Sequence, residues 1–135
     1  MIYKFNAYGH PNIQAAHKTT LEFTKDENVS LKGDCIVGIK ADFELKELEN
    51  FMKKCKNNKI LITISNNKEI KEKILAEINP NFDDDKEFVI RKTNFISKRT
   101  FAINSNKVAF DLNRSLISYL KEKENGIVVT IATKP

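Results

Sequence analysis

The residue types that bind metals, move protons and make tight turns are concentrated near the start of this 135-residue chain. Gly9-His10-Pro11-Asn12, His17, Glu22 and Gly33-Asp34-Cys35 hold both histidines, one of the two cysteines, two of the four glycines and one of the three prolines. Imidazole, thiolate and carboxylate together suit zinc or iron, so His10, His17, Asp34 and Cys35 form a candidate divalent-metal set. Their spacing matches no established ligand pattern. General acid–base chemistry would pair His17 with Glu22 or Asp34, because a carboxylate orients an imidazole and raises its basicity. The nucleophile would then be Thr19, Thr20 or Cys35, none of which sits in an activating motif. The glycines, at 9, 33, 38 and 126, form no phosphate-cradling loop, which argues against phosphoryl transfer on those scaffolds. Non-catalytic recognition asks least of these residues. It would use a polar rim of His10, Asn12, His17, Thr19, Glu22 and Asp34, with Arg99 as an anion anchor from further along the chain.

A second chemistry comes from charge. Residues 86–107 hold Lys86, Arg91, Lys92, Lys98, Arg99 and Lys107 against Glu87 alone, an excess that equals the formal net charge of +5 of the whole chain. A field acts where its charges cluster. Arg91, Lys92, Lys98 and Arg99 would lie close together if 88–103 is a hairpin, with Phe88, Phe95 and Phe101 interleaved. Basic side chains engage phosphates and exposed aromatic rings stack on bases. Phe95, near the tip, is the residue placed to stack; Phe88 and Phe101 read as core. No signature of the common RNA-binding folds is present.

The elements that must position these groups follow from periodicity. Alternation over residues 2–8 predicts a strand, broken by Gly9-His10-Pro11-Asn12, where proline fixes φ and glycine can take φ values closed to histidine. Residues 15–24 alternate again, with His17, Thr19, Leu21 and Phe23 on one face and Lys18, Thr20, Glu22 and Thr24 on the other. A hairpin between these strands would bring His10 and His17 together. A third strand spans about 34–41, with Cys35, Val37, Ile39 and Ala41 on one face. Asp42 is placed to cap a helix over about 43–56, whose apolar stripe is Leu45, Leu48, Met52 and Cys55. Residues 59–65 are apolar on both faces and predict a central strand.

Residues 68–78 fit either a helix or a strand through Ile70, Ile74 and Ile78, and an internal comparison decides. Ala7-Tyr8-Gly9-His10-Pro11-Asn12-Ile13 aligns with Ala76-Glu77-Ile78-Asn79-Pro80-Asn81-Phe82. Lys59-Ile60-Leu61-Ile62-Thr63-Ile64-Ser65 aligns with Gly126-Ile127-Val128-Val129-Thr130-Ile131-Ala132. The helix carrying Leu48, Phe51 and Met52 matches a second carrying Leu116, Tyr119 and Leu120. The chain therefore reads as one domain, 1–135, made of two β-β-β-α-β units of about 1–67 and 68–135. Residues 68–78 are then extended, followed by strands near 86–93 and 98–105, a helix near 110–122 and a strand at 126–133. The expected fold is mainly β, a two-sheet sandwich with two helices, with α+β as the alternative.

The blocks Gly9-His10-Pro11-Asn12, His17-Lys18-Thr19-Thr20-Leu21-Glu22, Thr24-Lys25, Gly33-Asp34-Cys35-Ile36, Arg99-Thr100, Asp111-Leu112 and Arg114 resemble an archaeal family known as domain of unknown function 371. The resemblance spans nearly the whole chain. It implies a small archaeal protein of mainly β, sandwich-like build, and no particular reaction. It also implies a second Gly-His-Pro in the latter half, where this chain reads Ile78-Asn79-Pro80.

Composition, at 41% apolar and 30% charged residues, is that of an ordinary globular domain. No run approaches the about 18 apolar residues of a membrane span. Two cysteines are too few for a disulfide framework, and the N-terminal residues do not read as a signal peptide, so a cytoplasmic protein is expected. The functional expectation is a non-catalytic domain binding a small ligand or a protein through the polar rim. The alternatives are a metal- or histidine-dependent hydrolase at the same rim, and nucleic-acid binding through the basic segment.

Overall fold

A computed structural model describes residues 1–67 and 69–134; the side chain of Ile70 also lies outside what it describes. The strands are β1 (Ile2–Tyr8), β2 (Thr20–Thr24), β3 (Ile36–Gly38), β4 (Lys59–Asn66), β5 (Glu69–Ile78), β6 (Glu87–Arg91), β7 (Thr100–Ile103) and β8 (Gly126–Thr133). Helix α1 (Leu45–Lys54) precedes β4, and α2 (Arg114–Leu120) precedes β8 after a 3-10 turn at Ala109–Asp111. The mainly β composition with two helices is as the sequence predicts, and β5 is extended where the internal comparison placed a strand.

Where two sheets were expected, the strands form one hydrogen-bonded sheet in the order β1-β8-β4-β5-β7-β6-β2-β3. The halves of this sheet meet at a narrow seam, where β5 pairs β7 through Glu77↔Ile103 and Ile78↔Ala102. At the opposite corner the two edge strands are stitched by Tyr8 and Ile39, which exchange backbone hydrogen bonds of 2.9 and 2.8 Å. Lys40 and Asn104 follow these two corners with φ of 52° and 51°. Asparagine tolerates the left-handed region; lysine is uncommon there.

The coiled sheet encloses an aromatic core. Phe88 of β6 stacks on Phe101 of β7 at 4.4 Å, and Phe5 of β1 lies 5.2 Å from Phe88 and 5.6 Å from Phe23 of β2, between ring centroids. Phe5 thus joins the two halves, and each buried ring contributes about 2–3 kcal/mol by leaving water. Helix α1 buries Leu48 and Phe51, and α2 buries Leu116, Ile117 and Leu120. Asp42 does not cap α1; its carboxylate accepts from the amide and side chain of Asn6 on β1. No helix among the described residues is long and apolar enough to cross a membrane.

Two pairings change how the functional residues are placed. β2 with β3, and β6 with β7, are parallel, so residues 25–35 and 92–99 are crossovers rather than hairpin turns. The expected hairpin over 88–103 is therefore absent. β1 and β2 are not neighbours either, so no hairpin brings His10 to His17. The regular part of β2 begins only at Thr20, because Ala15 turns the backbone with φ of 48° and the His17 carbonyl accepts from Phe110.

Candidate functional site

β2 and β6 lie side by side in the middle of their half-sheet, in antiparallel register Glu22↔Val89 and Thr24↔Glu87. Leu21, Phe23, Phe88 and Ile90 point to the core, so Thr20, Glu22, Thr24, Glu87, Val89 and Arg91 share the outer face. Although it is polar in sequence, Thr20, Glu22, Thr24 and Val89 on that face are buried. The segments entering β3 and β7 lie against it. Cys35 and Arg99 both reach the same oxygen, Glu22 Oε1: the thiol donates to it at 3.7 Å and Arg99 Nη1 at 3.4 Å. Arg99 Nη1 is also 3.8 Å from Glu87 Oε1. Arg91 Nε donates to Thr100 Oγ1 at 2.9 Å, and Ser97 Oγ is 2.9 Å from the same hydroxyl.

Burial, then the adjoining Glu87 carboxyl, pushes the Glu22 carboxyl up from 4.5 to about 8, against the pull of Arg99 and Cys35. Burial beside a second carboxyl keeps the proton on Glu22 near neutral pH. Glu87 Oε2 is itself buried with no hydrogen-bond partner. Burial and the Glu22 charge push the Cys35 thiol up to about 12. Arg91 is shifted downward, first by burial and then by the like charge of Arg99. One carboxylate charge thus faces two guanidinium groups.

The sequence picked out Glu22, Cys35 and Arg99, which do come together, and Arg91, which joins them from the basic segment. It missed Glu87, Thr100 and Ser97. The alternation of Glu87, Val89 and Arg91 through an otherwise apolar β6 was the available signal, but using it needed the pairing with β2.

The rest of the predicted rim disperses. His10 lines a separate cavity of about 430 Å³ with Ile39, Lys40, Glu27 and Lys123, beyond the C-terminal end of β3. His17 lies at the other end, its amide on the Asp34 carbonyl. Each imidazole accepts at Nδ1 from the amide two residues on, Asn12 at 3.0 Å and Thr19 at 3.2 Å, so each shapes its own turn. Asn12 Nδ2 donates to the Val29 carbonyl, and Thr19 Oγ1 lies 3.4 Å from Thr20 Oγ1. Gly9 takes no positive φ. Glycine is required there because a Cβ would collide with the carbonyl oxygens of Leu120 and Glu122. Among the described residues no group of three or more His, Cys, Asp or Glu is arranged to hold a metal ion. Lys92 pairs with Asp111 at 2.8 Å, and Lys98 is exposed. Arg114 is spoken for: its guanidinium donates to the carbonyls of Leu112, Ala15, Ala109 and Phe110.

Residues 5–134 match the family model described as domain of unknown function 371. An uncharacterised protein of Methanocaldococcus jannaschii is 40% identical over 125 residues, which cover 90% of this chain and 93% of the relative. With a match over nearly its whole length, the chain belongs to the family of domain of unknown function 371.

Proposed function

We propose that this protein is a binding domain for a ligand carrying a carboxylate or phosphate group, held on the outer face of β2 and β6. The observation that carries this reading is the gathering of two guanidinium groups on one face, Arg91 on Thr100 and Arg99 on Glu22, beside a Glu22 carboxyl that retains a proton. Like charges held together are relieved by an anion, and guanidinium forks match carboxylate and phosphate oxygens in pairs. Arg99 has half-exposed side-chain surface, so its remaining donors face solvent. The protonated carboxyl adds a donor below its pKa. No imidazole is bonded to the carboxyl pair, which favours binding over a histidine-dependent hydrolysis.

The site lies where the two halves of the chain meet, and a tandem duplication accounts for that. Within each four-strand half, β1-β8-β4-β5 and β7-β6-β2-β3, the strand order reads the same backwards when the first unit's strands are exchanged for the second's. Aligned residues become partners: Thr63 faces Thr130, and Tyr8↔Ile39 repeats as Glu77↔Ile103. Cys35 and Arg99 then occupy equivalent positions, as do Glu22 and Val89. A pseudo-dyad passing between Glu22 and Val89 leaves one site with two unlike arms.

Thermal melts in citrate and in inorganic phosphate test the anion reading. Both should raise the melting temperature of the native protein by mass action. The rise should disappear in Arg99→Ala and in Arg91→Ala. A rise that survives both substitutions would place the anion elsewhere and sink the reading.

A further inference from the structure

The anion site continues into an aromatic surface built from the same arginine. Arg91 lies over the Phe95 ring, 4.9 Å from its centroid, while Nε is held by Thr100. Phe95 is nonetheless 59% exposed and its neighbour Ile96 49%. One face of the ring carries a fixed guanidinium and the rest is in water. The arrangement recurs nearby: Lys18 Nζ is 5.6 Å from the Phe110 centroid, and Phe110 is 53% exposed. The two rings belong to segments tied to one another and to the start of β2. Lys92 Nζ pairs with Asp111 at 2.8 Å, the Lys92 amide donates to the Thr19 carbonyl, and the Phe110 amide donates to the His17 carbonyl.

Large apolar rings left in water beside unpaired positive charge are costly for a fold that buries its other core phenylalanines completely. We infer that the anion held by Arg91 and Arg99 is a backbone phosphate of single-stranded nucleic acid, whose bases stack on Phe95 and Phe110. The inference rests on the anion reading above and names its ligand. A base stacks on the open part of each ring, opposite its cation, and the backbone phosphates meet Arg99, Arg91 and Lys18. Stacking on an aromatic ring tolerates any base, so binding depends little on sequence. A duplex, whose bases are already stacked on one another, has no free face for either ring. The residues 86–107 carry the chain's net positive charge, which supplies the attraction at a distance.

Fluorescence anisotropy with a labelled oligouridylate of about 12 nucleotides tests the inference. Binding should weaken steeply with salt, and Arg99→Ala should lower the salt slope by about one. Phe95→Ala and Phe110→Ala should each weaken binding about tenfold, with melting temperatures unchanged because both rings are exposed. The matched duplex should bind more weakly than the single strand, and citrate should compete. If citrate binds at Arg99 but the oligonucleotide does not, or binds the phenylalanine variants as well as the native protein, the nucleic-acid inference falls and the anion site stands. If neither citrate nor oligonucleotide binds, the anion reading falls with it.

Discussion

Arg99 and Cys35 approach the same carboxyl oxygen of Glu22 from the two sides of the β2–β6 pair, at 3.4 and 3.7 Å. One partner is a permanent cation and the other a thiol that stays protonated, yet the carboxyl between them is itself pushed up to about 8. Burial and Glu87 outweigh Arg99, and the consequences can be measured.

Stability should fall as pH rises. The folded Glu22 carboxyl holds its proton up to about 8 while the unfolded one releases it near 4.5, so the folded state binds more protons between these values. The stabilisation is complete below 4.5 and lost through 8, which is the sign opposite to that of an ordinary salt-bridged carboxylate. Urea unfolding of the native protein should show this decline between pH 5 and pH 9. Glu22→Gln, neutral throughout, should flatten the curve and be the more stable form at pH 9. A native curve that is already flat would contradict the raised Glu22 pKa.

Cys35 should be chemically inert in the folded state. Its thiol is pushed up to about 12, first by burial and then by Glu22, and only a thiolate is an effective nucleophile. Iodoacetamide at pH 8 should leave Cys35 unmodified by mass spectrometry, then label it on unfolding in urea. Rapid labelling of the native protein at Cys35 would show a pKa far below this value.

The turns at His10 and Asn79, which the internal sequence comparison aligns, should differ in stability. Asn79 is fully buried; its side chain donates to the carbonyls of Ser97 and Thr100 and accepts from the Asn81 amide. Asn79→Ala leaves those groups unpaired and should cost about 2–4 kcal/mol. His10 makes the matching bond to Asn12 through Nδ1 alone, so His10→Ala should cost about 1 kcal/mol. Equilibrium unfolding in urea distinguishes the two; equal costs would mean that the buried asparagine network carries no special weight.

Much of the secondary structure was legible because each element carried a periodic signal. β1 and β8 begin and end where alternation begins and ends, and α1 follows its Leu48–Phe51 stripe. β5 was ambiguous by periodicity and became readable only through its likeness to β1. Pairing was not legible. Thr93-Asn94 between two short strands reads as a turn, whereas β6 and β7 run parallel and the chain crosses over between them. For the same reason Cys35 seemed to share a face with Val37. It lies in the turn closed by Ile36 and Gly33 just before β3, where strand alternation does not apply, and so it reaches Glu22. The histidines drew attention by residue type, but each is used locally. Glu87 carried no such flag, since its role exists only through its place beside Glu22.

The proton that Glu22 retains beside Glu87 is what leaves the outer face net positive, and the side-chain carboxyl carbon of Glu22 reports it directly. A carbon-13 NMR titration of the native protein should give Glu22 a midpoint near 8, and Arg99→Ala should raise it further, since the guanidinium lowers it. A midpoint near the ordinary 4.5 would leave two ionised carboxylates facing two arginines, with no net charge to draw an anion.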